Sequence, residues 1–451
     1  MGTDFTQGKI GKNLFFFTLP LLLSSLIQQL YGTVNLIIVG KFLGTKSCAA
    51  VGASDLIITC LIGFFYGMAV GANVVAAHLI GENAQGKLKK LIETVVILGF
   101  VGGIILMLIG FFLAPTILTF MGTPDSILAI AVRYLRIYML SMVPIVVYNL
   151  GSGILRAMGD GKYPMYFQLA GGLFNVGAGL LLVGVLNMGI EAVAFVTFLS
   201  QSLALFLLLR HFHHFPSSVS LALIPKYFEK ALFRKILQIG IPAGVQSILI
   251  TLSNILIQVK INGFGVDAIA AFAGYFKIEM ILYLPILALG QGVVSFVGQN
   301  YGAGQIGRIK KGVLLSMVFG TLETLVLSGV LLIGGEYVFG LFSSNEKVIA
   351  MGIEVMTITF PFYFLYVILE CVSGELRGIA RAFAPMVITL VSFCLIRISL
   401  LMWFLSFSHK LTSVAATYPL TWFLAAVALI IYRRLIYSPR IPKLLQKNPQ
   451  L

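Results

Sequence analysis

The sequence predicts an all-α integral membrane protein, with twelve transmembrane helices in two parallel six-helix bundles. Three observations carry that expectation. Hydrophobic residues make up 59% of the 451 and charged residues only 10%, with mean hydropathy +1.00; a soluble domain is roughly 25% charged. Apolar stretches of about 20 residues, the length that crosses a bilayer, recur twelve times. The two halves of the chain also repeat each other.

In chain order the predicted spans are 14–40, 49–79, 92–114, 131–155, 164–185 and 190–210, then 236–262, 269–299, 313–335, 352–376, 384–406 and 412–433. Some are long enough to tilt or to extend beyond the bilayer. The first is too long for a signal-peptide core and has no small-residue cleavage site, so it is expected to stay in the mature protein.

The basic residues set the orientation. With a cytoplasmic N-terminus, the inner segments hold Lys9, Lys12, Lys87, Lys89, Lys90, Arg156, Lys162, Arg210, Lys226, Lys230, Arg234, Lys235, Arg308, Lys310, Lys311, Arg377, Arg381, Arg433, Arg434, Arg440, Lys443 and Lys447. The outer loops hold only Lys41, Lys46, Lys347 and Lys410. That asymmetry is the positive-inside pattern, and it places both termini in the cytoplasm. The net charge of +15 therefore faces anionic membrane lipid, and nucleic acid is not an expected partner.

The repeat appears at a shift of 221 residues. LIGENAQGKLKK (79–90) aligns with NYGAGQIGRIKK (300–311), and SGILRAMGDGKYPM (152–165) with SGELRGIARAFAPM (373–386). Pro20 and Pro242 match after one further residue of offset. Each half has an even number of spans, so both enter from the same side, which is a transporter architecture. The expected domains are a first bundle at 1–210, a cytoplasmic linker at 211–235, and a second bundle at 236–451 with a short basic tail.

Several chemistries find no support. His211, His213 and His214 read as a solvated loop rather than a metal site. Cys48, Cys60, Cys371 and Cys394 lack metal or redox spacing. No phosphate-binding loop frames the Gly-Lys pairs. No catalytic constellation, metal or cofactor is expected.

Separated motifs resemble the multidrug and toxic compound extrusion (MATE) family: LRAMGDGKYPM after the fourth span, ALGQGVVSFVGQNYGAG (288–304), GELRG (374–378) and TYPLTW (417–422). KIEMILYLPILALGQG (277–292) and ILECVSGELRG (368–378) are most similar to the bacterial branch found in Firmicutes. The resemblance implies a multi-pass protein of the bacterial plasma membrane, exporting small, amphipathic, often cationic compounds in exchange for H⁺ or Na⁺. It also implies an aspartate in the first span and a second in an NxxxD stretch of the fifth. Here VNLIIVG puts Asn35 at the first position, and NVGAG keeps Asn175 but puts Gly179 at the second. Neither takes up a proton near neutral pH, so the first bundle is expected to have given up ion coupling.

Ionisable residues inside spans are costly, by about 2.5–3.5 kcal/mol on insertion scales, and are usually functional. Glu279 and Glu370 are the leading coupling candidates, with Arg397 placed to neutralise either; a structural ion pair is the alternative role. The repeat maps Glu370 onto Asn149. Lys277 is two residues from Glu279, off its helix face, and either faces the interior or snorkels. Asp55 either substitutes for the missing first-bundle acids or reaches the outer interface. Tyr31, Tyr148, Phe362 and Tyr366, with Asn35, Asn149 and Asn175, are candidate cavity residues. An aromatic ring attracts a cation by about 0.5–2 kcal/mol, although packing alone also accounts for such rings.

The expected protein is thus a monomeric secondary antiporter coupled through its second bundle, with H⁺ favoured over Na⁺. A lipid or lipid-linked precursor flippase, and a non-transporting receptor or scaffold, are the alternative classes. Single cysteines placed in 82–90, 211–235 and 303–311 should react with impermeant maleimide only from the cytoplasmic side. Labelling of intact cells would contradict the orientation.

Overall fold

The computed structural model describes residues 2–216, 227–408 and 410–437, and the described chain is helical with no strand. Part of the predicted linker (217–226, with Lys226) and Arg440, Lys443 and Lys447 of the tail lie outside the described residues.

Ten apolar helical stretches are long enough to span a membrane, and a bent pair makes an eleventh. The first stretch, Ile10–Gly81, has 72 residues, about 108 Å at 1.5 Å per residue and far beyond a hydrocarbon core of roughly 30 Å. It divides into α1 (Ile10–Ile38) and α2 (Gly44–Gly81) at a π-helical turn over 39–43. Gly44 there adopts φ 78°, a left-handed conformation that a side chain disfavours. The twelve predicted spans are all accounted for.

The chain divides into two compact units, Met1–Gly244 with Gly298–Gln305, and Val245–Val297 with Ile306–Leu451. In the first, α3 (Gln85–Phe120) follows α2. The predicted fourth span is two helices, α4 (Asp125–Met139) and α5 (Met142–Ala157), bent by 46°. It begins before the predicted 131 because its charges are locally compensated. Arg133 pairs with Glu191 at 3.2 Å, and Arg136 Nε donates to the Phe111 carbonyl at 3.2 Å. Next come α6 (Lys162–Gly179), a π-helical segment 180–185, and α7 (Ile190–His213), which runs three residues into the predicted linker. Beyond the undescribed stretch, the Tyr227 and Glu229 amides donate to Glu93 and Thr94 of α3.

The later helices are α8 (Lys230–Asn262), α9 (Val266–Gly302), α10 (Ile306–Ile333) and the short α11 (Gly335–Gly340). Then α12 (Glu346–Thr359) and α13 (Tyr363–Gly378) flank a 3₁₀ turn at Phe360–Phe362. After α14 (Phe383–Thr389), a π-helical segment 390–396 leads into α15 (Arg397–Phe407), and α16 (Leu411–Tyr437) ends the described chain. The break at Pro361 and the bend at Leu140 are 221 residues apart, so the internal repeat extends to the broken spans.

Packing follows the lipid environment. On α3, Val101, Ile104, Ile105, Leu108, Ile109 and Phe112 are exposed, whereas the glycines face protein. A Cβ on Gly103 would meet the Val143 backbone at 2.7 Å, and one on Gly99 the Val147 backbone at 2.9 Å. Large apolar groups face lipid and small residues let backbones approach. On α2, Gly67 and Gly71 likewise lie against the backbone of α8 at Gly244 and Gly240.

Gly103→Val should therefore lower the melting temperature in detergent, at a cost of about 1–3 kcal/mol for overpacking. Gly86→Ala, where a Cβ meets nothing within 4 Å, should leave it unchanged. Equal melting temperatures for the two variants would contradict this packing.

Candidate functional site

Polar side chains gather inside each unit. In the first unit Tyr31 of α1 accepts hydrogen bonds at its hydroxyl from Gln168 of α6 (3.1 Å) and Gln201 of α7 (3.3 Å). Two turns on from Gln168, the fully buried Asn175 donates to Ser200 at 3.3 Å. Asn35 is half-buried, one turn beyond Tyr31 on α1. A Cβ on Gly179 would lie 3.9 Å from its carboxamide oxygen, so the two positions that lack acids face each other. Asn149 turns back to the Ile145 carbonyl (2.8 Å), and Tyr148 donates to that of Pro164 (2.8 Å). This cluster contains only neutral donors and acceptors. Asp55 is exposed on α2.

The second unit holds the buried ion pairs. Glu370 of α13 is 6% exposed and accepts from Arg377 at 2.9 Å. Its partner is thus Arg377, two turns on along the same helix, rather than Arg397. The pairing follows from helix geometry, because residues seven apart share a face and the long arginine spans the gap. Arg377 also donates to Gln246 of α8 (3.0 Å), which in turn donates to Thr389 of α14 (2.9 Å). Gly290 of α9 leaves room for the acid, since a Cβ there would stand 2.8 Å from a Glu370 carboxylate oxygen. One turn further along α13, the fully buried Glu375 accepts from Arg433 of α16 at 2.5 Å.

Glu279 accepts a hydrogen bond from the Tyr363 hydroxyl. Tyr363 is the first residue of α13, directly after the 3₁₀ turn at Phe360–Phe362. Tyr363 packs edge-on against Trp422 of α16, with centroids 4.7 Å apart, and Tyr366 packs on Tyr283 and Trp422. Arg397 is 1% exposed and lies over Phe393 (4.0 Å) and Tyr418 (4.8 Å), with Nε donating to Thr421 at 2.9 Å. It makes no direct ion pair among the described residues; ring faces, a hydroxyl and the nearby charge of Glu279 stabilise it. Its Nη2 and the Tyr418 hydroxyl are buried without hydrogen bonds. Lys277 and Phe362 are exposed, so neither joins the cluster.

Comparison with known proteins now gives these clusters a context. The MatE family model matches the chain twice, over residues 20–181 and 242–403. The chain belongs to the MATE family. The two matches begin at Pro20 and Pro242, the pair that marked the repeat in the sequence. The chain is 28% identical over 395 residues to "Probable multidrug resistance protein YpnP" of Bacillus subtilis, covering 87% of this chain and 88% of that one. It is 24% identical over 358 residues to the multidrug export protein MepA of Staphylococcus aureus, covering 79% and 78%. An outward-facing MATE multidrug-resistance transporter of the MOP superfamily has the same fold, with TM-score 0.89 at 20% identity over 96% of this chain and 98% of that one. So does a MOP-superfamily transporter from Pyrococcus furiosus, with TM-score 0.88 at 21% identity and the same coverage. The protein is therefore a bacterial, multi-pass membrane transporter of the MATE family.

Sequence reasoning missed Tyr363, Gln246, Tyr418 and Trp422. Gln246 carried a usable signal, an amide four residues after Pro242 in an apolar span. The aromatic residues carried none, because rings are frequent throughout.

Arg433→Gln would strand the Glu375 carboxylate in a fully buried site, at a cost of about 3–5 kcal/mol. The melting temperature should fall clearly, and adding Glu375→Gln should restore most of it. A double variant no more stable than Arg433→Gln would contradict the pairing.

Proposed function

We propose that this MATE-family protein is a secondary antiporter that exports amphipathic organic cations in exchange for H⁺ by alternating access, with coupling confined to the second unit. Export of multiple drugs is what the names of its relatives describe. One observation carries the assignment of coupling: the half-buried Glu279 and the buried Glu370 lie within spans of the second unit, while the facing positions 35 and 179 of the first hold an amide and no side chain. A carboxyl that changes protonation can couple ion flux to transport, and an amide cannot.

The second unit supplies what an exchange needs. Ionised Glu279 is a full-charge acceptor for Tyr363, and protonation removes that charge and weakens the bond. Tyr363 begins α13, so a proton on Glu279 acts on the helix that carries Glu370. An organic cation arriving among Tyr283, Tyr366 and Trp422 finds ring faces and a nearby carboxylate. Its charge and the proton then compete for the same negative group.

Proton in place of sodium follows from coordination. Sodium stripped of water needs several oxygens close together, and no second carboxylate joins either acid among the described contacts. Both termini are taken to be cytoplasmic, from the distribution of lysine and arginine.

In proteoliposomes with an imposed pH gradient, Glu279→Gln and Glu370→Gln should each lower export of an organic cation by at least about tenfold, the equivalent of 1.4 kcal/mol. Asn35→Ala should keep most of it, and a sodium gradient alone should drive none. Undiminished export by both glutamine variants would remove coupling from these acids.

A further inference from the structure

The repeat places an arginine at the same point of each unit, but only one of them has a carboxylate. Arg377 meets Glu370 seven residues earlier on its own helix. Arg156 also has a helix-mate seven residues earlier, and there it is Asn149, whose amide donates to the Ile145 carbonyl. Arg156 is nonetheless 8% exposed. It forms no ion pair among the described residues, and its guanidinium carbon lies over the ring of Tyr66, 5.9 Å from the centroid. One turn before it, the Ser152 hydroxyl is buried beside Tyr148.

A buried, uncompensated cation is expensive. Arg156 lies in the last turn of α5, where the helix dipole recovers up to about 2 kcal/mol in favourable geometry. Arg377 occupies the same position on α13 and still has its carboxylate, so the dipole does not account for the difference. What the first unit lacks is a negative group at Arg156.

We infer that Arg156 is an oxyanion-binding site, taking the phosphate or carboxylate group of a bound molecule in the place where the second repeat uses its own glutamate. A guanidinium offers a planar fork of donors that matches such a group, and the Ser152 hydroxyl adds a donor one turn away. The site lies outside the coupling cluster, and its chemistry is opposite to that of an organic cation. A phospholipid headgroup and free phosphate both supply it.

The test uses the full-length protein in detergent and follows its melting temperature with three probes: inorganic phosphate, dihexanoyl phosphatidic acid and dihexanoyl phosphatidylcholine. The wild type should be stabilised by the phosphatidic acid and not by the phosphatidylcholine. An equal response to phosphate would identify a free oxyanion as sufficient, and a response to the lipid alone would identify a headgroup; either supports the site. Arg156→Gln should abolish the response, and Arg156→Lys should retain part of it. Asn149→Glu gives an independent arm that keeps the arginine. It supplies an internal carboxylate at the spacing of Glu370 and Arg377, and should remove the response while the protein remains stable. A wild type indifferent to both anions, or an Asn149→Glu protein that responds like wild type, would overturn the inference.

Discussion

The Glu370–Arg377 ion pair organises the second unit, and the reason is the solvent. Hydrocarbon offers no hydrogen bonds, so each ionised group in a span must find its partners within the protein. Glu370 meets that requirement on its own helix and over the bare surface of Gly290. Arg377 extends the network through Gln246 to Thr389, joining α13, α8 and α14 by hydrogen bonds rather than by apolar contact. Substitution anywhere along that line leaves a buried polar group unsatisfied, which costs more than the bond itself contributes. The network therefore specifies how these helices meet as well as holding a charge.

Beside that network the polar cluster around Tyr31 and Asn175 in the first unit is neutral. Tyr31, Gln168, Gln201, Asn175 and Ser200 satisfy one another through neutral hydrogen bonds, and Asn35 faces a glycine. The two repeats share breaks, glycine contacts and arginines, yet one retains acids and the other amides. Duplication supplied two equivalent frames, and the difference in chemistry rests on a few side chains. Membership in the MATE family fits both halves, since the family model matches each of them separately.

Much of this architecture was legible in the sequence. Hydropathy located the spans because lipid accepts apolar faces without requiring a partner, and the motifs at 152–165 and 373–386 exposed the duplication. The breaks at 140–141 and 360–362 were not visible, since Pro361 also fits a straight apolar span and Leu140 carries no signal at all. Glu279 and Glu370 stood out because charges are rare at that depth. Their partners did not. Arg397 was the expected counter-ion for its depth, whereas Arg377 was counted among the cytoplasmic charges even though its side chain reaches back two turns to Glu370. Tyr363 meets Glu279 across 84 residues of sequence, and such a contact is a property of three dimensions.

The account stands on the division of labour between the two units, and proton release on substrate binding tests it most directly. Purified protein in weakly buffered detergent solution is mixed with an organic cation such as ethidium, and the pH change is followed with an indicator dye. The wild type and Asn35→Ala should release protons equally, while a protein carrying both Glu279→Gln and Glu370→Gln should release none. Release that persists in the double variant, or disappears in Asn35→Ala, would contradict the assignment of coupling to the second unit.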